Sequence, residues 1–133
     1  MELIIWLIAA YGMSQILVYG SIFNGLGIVL GAFASHSLKE QLPAQDLNIF
    51  EIGVRYQIYH SFGLIFLGIL GFHFPNIVID ASAKLFIIGI ILFSGSLYLL
   101  VLTNQRWLGA ITPLGGFCYI FGWFLLAFKI YKV

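Results

Sequence analysis

The residues best suited to chemistry lie in one stretch, EIGVRYQIYH, which runs from Glu51 to His60. Glu51 precedes Arg55 by four residues, the spacing and order that favour an ion pair on one face of a helix. An exposed pair of this kind contributes only about 0.3–0.5 kcal/mol, whereas an unpaired arginine at the edge of a bilayer is costly. We therefore expect a Glu51–Arg55 ion pair. It would anchor the entrance of a helix, or it would serve a bound anionic headgroup or a proton step.

The two histidines His36 and His60 form a second candidate constellation. Adjacent antiparallel helices would bring their imidazoles to similar depth, with His60 one to two turns deeper than Arg55. Three interpretations stay open: hydrogen bonds to each other, to Gln57 or to Asn24; ligation of a metal or haem; and proton transfer or contact with a quinone-type ligand. No HxxxH spacing or carboxylate cluster favours metal. The tentative ligand-binding residues are His36, Glu51, Arg55, Tyr56, Gln57, Tyr59 and His60.

No pattern in the chain predicts a catalytic residue, a metal site or a cofactor. Ser94 and Ser96 flank Gly95 in an apolar segment that contains no histidine, and a nucleophilic serine needs a base within reach. The phosphate-binding, dinucleotide-binding, zinc and kinase patterns are absent as well. The sequence therefore predicts a protein that is not an enzyme, with small residues at this point serving helix packing.

The composition identifies the surroundings of the chain. Of its 133 residues, 62% are hydrophobic and 8% are charged, against about 25% charged in an average soluble domain. A water-exposed globule of this size could not bury so much apolar surface. The formal net charge of +1 does not favour nucleic acid, and the single Cys118 can form no internal disulfide. We predict one all-α integral membrane domain with the lipid bilayer as its partner.

Four apolar segments follow one another, each long enough to cross a hydrocarbon core of about 30 Å. The approximate spans are 15–35, 56–74, 84–102 and 107–130, preceded by residues 1–14 as an N-terminal apolar extension. The uncharged run from Leu3 to Ser35 would measure about 50 Å as one helix, so the extension should lie in the interface, tilt or meet a partner subunit. We predict a bundle of four transmembrane helices with an amphipathic start to helix two.

Small residues at helical spacing predict where these helices approach one another. Five residues share one face of the first helix: Gly20, Asn24, Gly27, Gly31 and Ser35. Their GxxxG pair, Gly27 and Gly31, permits close helix contact. Pro113 within the fourth helix predicts a kink, with Thr112 helping to satisfy the freed backbone. Gly115 and Gly116 permit a close contact beside that kink.

Four blocks of sequence, in order, resemble the signature of a known family. They are Gly31-Ala32-Phe33 with His36-Ser37-Leu38-Lys39, the block from Phe50 to His60, the block from Phe93 to Tyr98, and Leu108 to Gly116 followed by Gly122-Trp123. Together they resemble the YgdD-like family of small membrane proteins of unknown function. Ala34 and Ser35 stand where that family has Gly and Ala, and the segment before Ser21 is longer than usual for it. The resemblance implies four transmembrane helices and the bacterial inner membrane, but no activity.

The leading functional hypothesis is a structural or accessory helix-bundle component that associates with itself or with a larger membrane complex. Small-residue faces without a reaction centre motivate it. The alternative is a ligand-handling membrane protein that binds a lipid headgroup, quinone or haem near Arg55 and His60. A transporter is disfavoured because four helices contain no inverted repeat.

Overall fold

Five α-helices account for most of the chain in the computed structural model, which describes residues 1–74 and 79–132. They are α1 (Glu2–Phe33), α2 (Ala44–His73), α3 (Asp80–Gly89), α4 (Gly95–Thr103) and α5 (Thr112–Tyr131). A π-helical turn, Ala34–Leu38, extends α1, and a second one, Ile90–Ser94, joins α3 to α4. A 3₁₀ helix, Arg106–Ala110, leads into α5. The described residues therefore form four long rods, with α3 and α4 acting as one interrupted rod, α3/α4.

Local sequence explains where the rods begin and end. α2 starts directly after Pro43, whose backbone lies outside the helical region at φ −55° and ψ 146°. α4 ends at Asn104, which adopts the left-handed conformation at φ 56°, a common way to stop a helix without glycine. α2 ends at His73, and Pro75, which is expected to stop this helix because proline does not continue one, lies outside the described residues.

The predicted position of Pro113 inside a continuous α-helix is wrong. The chain before it is 3₁₀, and α5 begins at Thr112, so Pro113 occupies the first turn of that helix. Proline suits this place because the N–H that it lacks has no intrahelical partner there. The Thr112 hydroxyl lies 2.7 Å from the Ser96 hydroxyl, so it joins α5 to α4 rather than repairing a kink.

The rods pack in the order α1, α2, α3/α4 and α5. α1 and α2 are antiparallel, and their register is set by glycines: Leu17 fills the space beside Gly68, and Val54 lies against Gly31. This contact ends near Met13, which packs against Gly71. The first turns of α1 therefore project beyond the end of α2. They continue the same helix without a break, and their described side chains are mostly exposed.

Two apolar clusters lie inside the bundle, one toward each end. Leu64, Leu67 and Phe86 belong to the first, and Phe50 and Leu100 belong to the second. The outside of the bundle is apolar as well: large hydrophobic side chains are exposed on every rod. In water such a surface would be unfavourable, whereas a bilayer accommodates it.

The predicted all-helical architecture is confirmed for the described residues. In the part of the chain that the structure describes, three rods are long and apolar enough to cross a membrane: Glu2–Leu38, Asp80–Thr103 and Arg106–Tyr131. α2 is 30 residues long but carries Gln57, His60 and His73, which lower its hydropathy. The polar residues of the candidate site are thus concentrated on the one rod that differs from the other three.

Candidate functional site

Gln57 is a buried junction between three rods. Its amide nitrogen donates to the Phe23 carbonyl oxygen of α1 at 2.7 Å, and its amide oxygen accepts from the Tyr98 hydroxyl of α4 at 2.8 Å. Only 3% of the residue is exposed. Because a buried amide is costly unless it is hydrogen-bonded, these two bonds hold α1 and α4 against α2.

Ser94 and Gly53 lock α2 to the interrupted rod one turn further along, whereas the Ser61 hydroxyl bonds within α2. The Ser94 hydroxyl, in the π-helical turn, donates to the Gly53 carbonyl at 2.6 Å, and the Ser61 hydroxyl donates to the Gln57 carbonyl at 2.6 Å. A Cβ on Gly53 would lie 2.8 Å from the Tyr98 ring, so the absence of a side chain lets that ring rest on the α2 backbone. Ser94 therefore serves packing, as the small-residue interpretation of this segment predicts.

His60 lies in an aromatic cluster between α2 and α5. Its ring stacks on Tyr119 with centroids 3.4 Å apart and planes 9° from parallel. The indole N–H of Trp123 donates to His60 Nε2 at 3.1 Å, and His60 Nδ1 lies 2.9 Å from the Tyr56 carbonyl. These partners assign the proton to Nδ1, because Nε2 must accept and Nδ1 must donate. Neither ring nitrogen is left free to ligate a metal or haem.

The predicted proximity of His36 and His60 is wrong. The antiparallel register places Gly27 of α1 beside Ile58, whereas the π-helical turn that contains His36 packs near Phe50, at the beginning of α2. His36 is exposed at that end. His60 finds its partners on α2 and α5 instead of on α1.

The predicted Glu51–Arg55 ion pair is not formed. Both side chains are exposed, and no described residue lies within ion-pairing distance of either. The ion pair near this end joins Asp46 to Arg106, whose guanidinium donates to both carboxylate oxygens at 2.7 and 2.9 Å. The hydrogen bonds from Arg106 hold the pKa of the Asp46 carboxyl below its ordinary value. This pair connects the start of α2 to the turn between α4 and α5.

Arg55 lies within the apolar belt of the bundle, one to two helical turns from Phe50, beside which the turn that contains His36 packs. It follows Asp46 by nine residues, a rise of about 14 Å along α2. At the level of Arg55, the Gly53 carbonyl accepts a hydrogen bond from Ser94, and Ser94 lies nine residues before the end of α4. The other rods present large apolar side chains at this level: Val29, Ile91 and Leu114 are 63%, 58% and 56% exposed.

The predicted ligand-binding residues thus separate into groups. Tyr56 and His60 line a cleft of about 420 Å³, together with Phe93, Tyr119 and Trp123. The Tyr119 hydroxyl is buried and has no hydrogen-bond partner among the described residues. Gln57 lies in the interior, and His36 lies at the end of the bundle. Glu51, Arg55 and Tyr59 lie on the outer face of α2.

The predicted packing residues face two different partners. Gly20, Gly27 and Gly31 lie against α2, and a Cβ on Gly20 would come within 2.9 Å of the Ser61 carbonyl. Asn24 accompanies them, with a buried side-chain oxygen that has no hydrogen-bond partner among the residues that the structure describes. Ser35 is exposed and donates to the Gly31 carbonyl. On α5, Gly115 packs closely against the Phe93 backbone, and Gly116 lies more loosely against the Phe93 ring.

Comparison with known proteins places the chain among membrane proteins. Residues 30–116 match a family described as a protein of unknown function, DUF423. The chain belongs to the DUF423 family. The matched range contains Gln57, His60, Tyr98 and the Asp46–Arg106 pair, so most of the polar interior lies within the DUF423 match.

Relatives of the chain carry the name UPF0382 membrane protein. The protein SH2409 of Staphylococcus haemolyticus is 37% identical over 90% of this chain and 98% of its own length. YwdK of Bacillus subtilis is 37% identical with the same coverage. A relative in Haemophilus influenzae is 35% identical over 79% of this chain and 84% of its own length. No solved structure matches the chain.

Sequence reasoning missed the Asp46–Arg106 pair and the bond from Trp123 to His60. A signal for the first was present: Asp46 lies in the first turn after Pro43, and Arg106 lies in the polar turn after the third apolar segment, so both belong to the same end of an up-and-down bundle. No sequence signal pointed to the second, because the side of α2 that α5 covers depends on how the rods assemble.

Proposed function

We propose that this DUF423 protein is a non-enzymatic, multi-pass component of the bacterial inner membrane. It acts as a structural or accessory helix bundle that associates with copies of itself or with a larger membrane complex. The membrane-protein names of its relatives and the apolar exterior of the rods support the location. The resemblance to the YgdD-like signature supports the inner membrane.

The observation that carries this function is the use of the polar side chains at the bundle centre. Gln57 and Ser94 donate to main-chain carbonyls of neighbouring rods, and His60 has both ring nitrogens engaged. A general base needs a lone pair that can reach a substrate proton. Here the lone pairs and donors hold helices together, which is the chemistry of a scaffold.

The same observation supports α2 as a fourth membrane crossing. Its 30 residues correspond to about 45 Å of helix, and it packs along α1, itself a candidate span. Its most polar inward residues, Gln57 and His60, are buried and hydrogen-bonded, so they expose little polarity to lipid.

Labelling of single cysteines tests this topology. In a Cys118→Ser background, cysteines at Glu40 and Asn104 should react with an impermeant maleimide from one side of the membrane, and cysteines at Glu2 and Lys132 from the other. Reaction of residues 2 and 132 from opposite sides would contradict four crossings.

Association is tested by measuring the mass of the purified protein in a mild detergent by light scattering. We expect a particle of more than one chain, or a particle that carries a co-purifying membrane protein. A strictly monodisperse monomer with no companion would contradict the structural role.

A second candidate function, ligand handling, is favoured by the cleft beside His60. Its aromatic walls and the unpartnered Tyr119 hydroxyl suit a flat, lipid-soluble molecule such as a quinone, and Arg55 suits an anionic headgroup. Haem ligation would require His60 to give up its bond to Trp123. Organic extraction of the purified protein, with an absorption spectrum for the haem band, distinguishes these ligands. An extract without quinone, stoichiometric lipid or haem would remove this candidate.

A further inference from the structure

The outer face of α2 carries an acid and a base without partners. Glu51 and Arg55 are exposed, four residues apart, and neither lies within ion-pairing distance of an opposite charge among the described residues. The same rod satisfies its inward polar groups, with bonds from Gln57, Ser61 and Tyr98. The two faces of one helix therefore differ sharply in how their polar groups are satisfied.

The depth of Arg55 makes its lack of a partner costly, whereas Glu51 lies one turn closer to the end of the bundle. Arg55 lies about 14 Å along the helix from Asp46, at a level where the neighbouring rods expose Val29, Ile91 and Leu114. Ionised side chains this deep in a bilayer are unfavourable and normally pair or face a protein interior. A group outside this chain that covers the face would remove this cost.

The chemistry of the face favours a group that supplies both a negative and a positive charge. An anionic lipid headgroup would satisfy Arg55 but would leave Glu51 unpaired and repel it. A second identical face offers one acid and one base, and it satisfies both. Below the charges the face continues with exposed aromatic side chains, Tyr59, Phe62 and Phe66, which supply apolar contact area for a partner helix.

We infer that the outer face of α2 is the interface with a second copy of this chain, in which Glu51 of each copy pairs with Arg55 of the other. This inference rests on the proposed self-association and names its surface. A two-fold axis along the bilayer normal makes the two α2 helices parallel and the contact isologous. Residues 51 and 55 then differ in height by about 6 Å, a gap that the long arginine and glutamate side chains bridge. Two reciprocal pairs result.

Charge reversal tests the pairing. Two single variants, Glu51→Arg and Arg55→Glu, are reconstituted separately into lipid vesicles, and association is measured by energy transfer between labelled copies. Each variant alone places like charges across the axis and should associate about a hundredfold more weakly than wild type. Mixing the two variants should restore association, because a basic face then meets an acidic one. Wild-type association of either single variant would overturn the inference.

A matched control variant separates this interface from one on α1. Gly25 lies on the outer side of α1, where an added Cβ would meet nothing within 4 Å. Gly25→Leu should leave association unchanged. One result would overturn the inference and leave the proposed function standing. In that result wild type associates, Gly25→Leu abolishes the association, and the charge reversals leave it intact. A wild type that stays monomeric in vesicles would overturn the inference and the self-association part of the proposed function, and it would leave only association with a larger membrane complex.

Cross-linking keeps the inference testable if a charge variant fails to insert. In a Cys118→Ser background, Tyr59→Cys should form a disulfide between two copies on mild oxidation. Val29→Cys, on the outer side of α1 and similarly exposed, should remain reduced. The opposite pattern, or no cross-link at residue 59, would contradict the α2 interface.

Discussion

The inner and outer faces of α2 use the same ten-residue stretch in opposite ways. On the inner face, Gln57 and His60 are buried, and their hydrogen bonds reach α1, α4 and α5. On the outer face, Glu51 and Arg55 are exposed and have no partner within the described chain. The difference teaches that polar side chains on a membrane helix serve one of two purposes. They hydrogen-bond to the other helices of their own bundle, or they mark a surface that another molecule covers.

The largest effect is expected from filling the inner face. Gly53→Leu would collide with the Tyr98 ring, which lies 2.8 Å from the position of an added Cβ. It would also displace the carbonyl that accepts from Ser94. We expect the free energy of unfolding to fall by about 3 kcal/mol, measured by detergent titration in mixed micelles. Gly25→Leu, on the outer side of α1, is the matched control and should change it by less than about 0.5 kcal/mol.

Removing the Gln57 junction should have the next largest effect. Gln57→Leu deletes two inter-rod hydrogen bonds and leaves the Tyr98 hydroxyl buried without its acceptor. We expect a loss of about 1–2 kcal/mol in the free energy of unfolding. The double variant Gln57→Leu/Tyr98→Phe should be more stable than the single variant, because it also removes the stranded hydroxyl. An additive loss in the double variant would contradict the junction.

Acid should weaken the start of α2. The bonds from Arg106 lower the pKa of Asp46 in the folded protein below its ordinary value of 3.8. Folding therefore favours the ionised carboxylate, so the pair stabilises the protein above pH 3.8 and this contribution disappears as the pH falls through the lowered pKa. The free energy of unfolding of the wild type, measured from pH 6 to pH 2, should contain this pH-dependent loss. The Asp46→Asn variant should lack it. If the free energies of unfolding of the wild type and of Asp46→Asn change in parallel over this range, the pair does not stabilise the fold.

The smallest effect is expected at the rim of the aromatic cluster. Trp123→Phe removes the N–H that His60 accepts at 3.1 Å while keeping an aromatic ring against Phe86. We expect a loss of about 0.6–1 kcal/mol in the same detergent titration. Trp107→Phe serves as the control, since Trp107 is exposed and lies outside the bundle core. Equal effects of the two substitutions would argue against a structural role for the Trp123–His60 bond.

Composition made the all-helical membrane architecture predictable, because so apolar a chain has few other ways to satisfy its backbone. Glycine spacing on α1 pointed to one face, and the structure sets Gly20, Gly27 and Gly31 against α2. The i, i+4 rule failed for Glu51 and Arg55, because local spacing does not tell whether a face turns toward solvent, lipid or protein.

Long-range partners were out of reach for a related reason. Asp46 and Arg106 are sixty positions apart in the chain, and His60 meets Trp123 on the last rod. These contacts depend on the register and spatial order of the rods, which apolar segments of similar composition leave undetermined. The π-helical turn at Ile90–Ser94, which carries the Ser94 hydroxyl to Gly53, also leaves no mark in the hydropathy pattern.

The central claim is that this polar rod crosses the membrane with its charged face covered. A depth profile of α2 in a bilayer tests this claim most directly. Nitroxide labels on single cysteines at residues 45, 48, 59, 66 and 73 are probed by oxygen and by a water-soluble nickel complex. We predict that nickel accessibility is high at residues 45 and 73 and low at 59 and 66, and that oxygen accessibility at 59 and 66 stays below that of a lipid-exposed site because the partner copy covers them. High nickel access at residues 59 and 66 would place α2 in water and contradict the account.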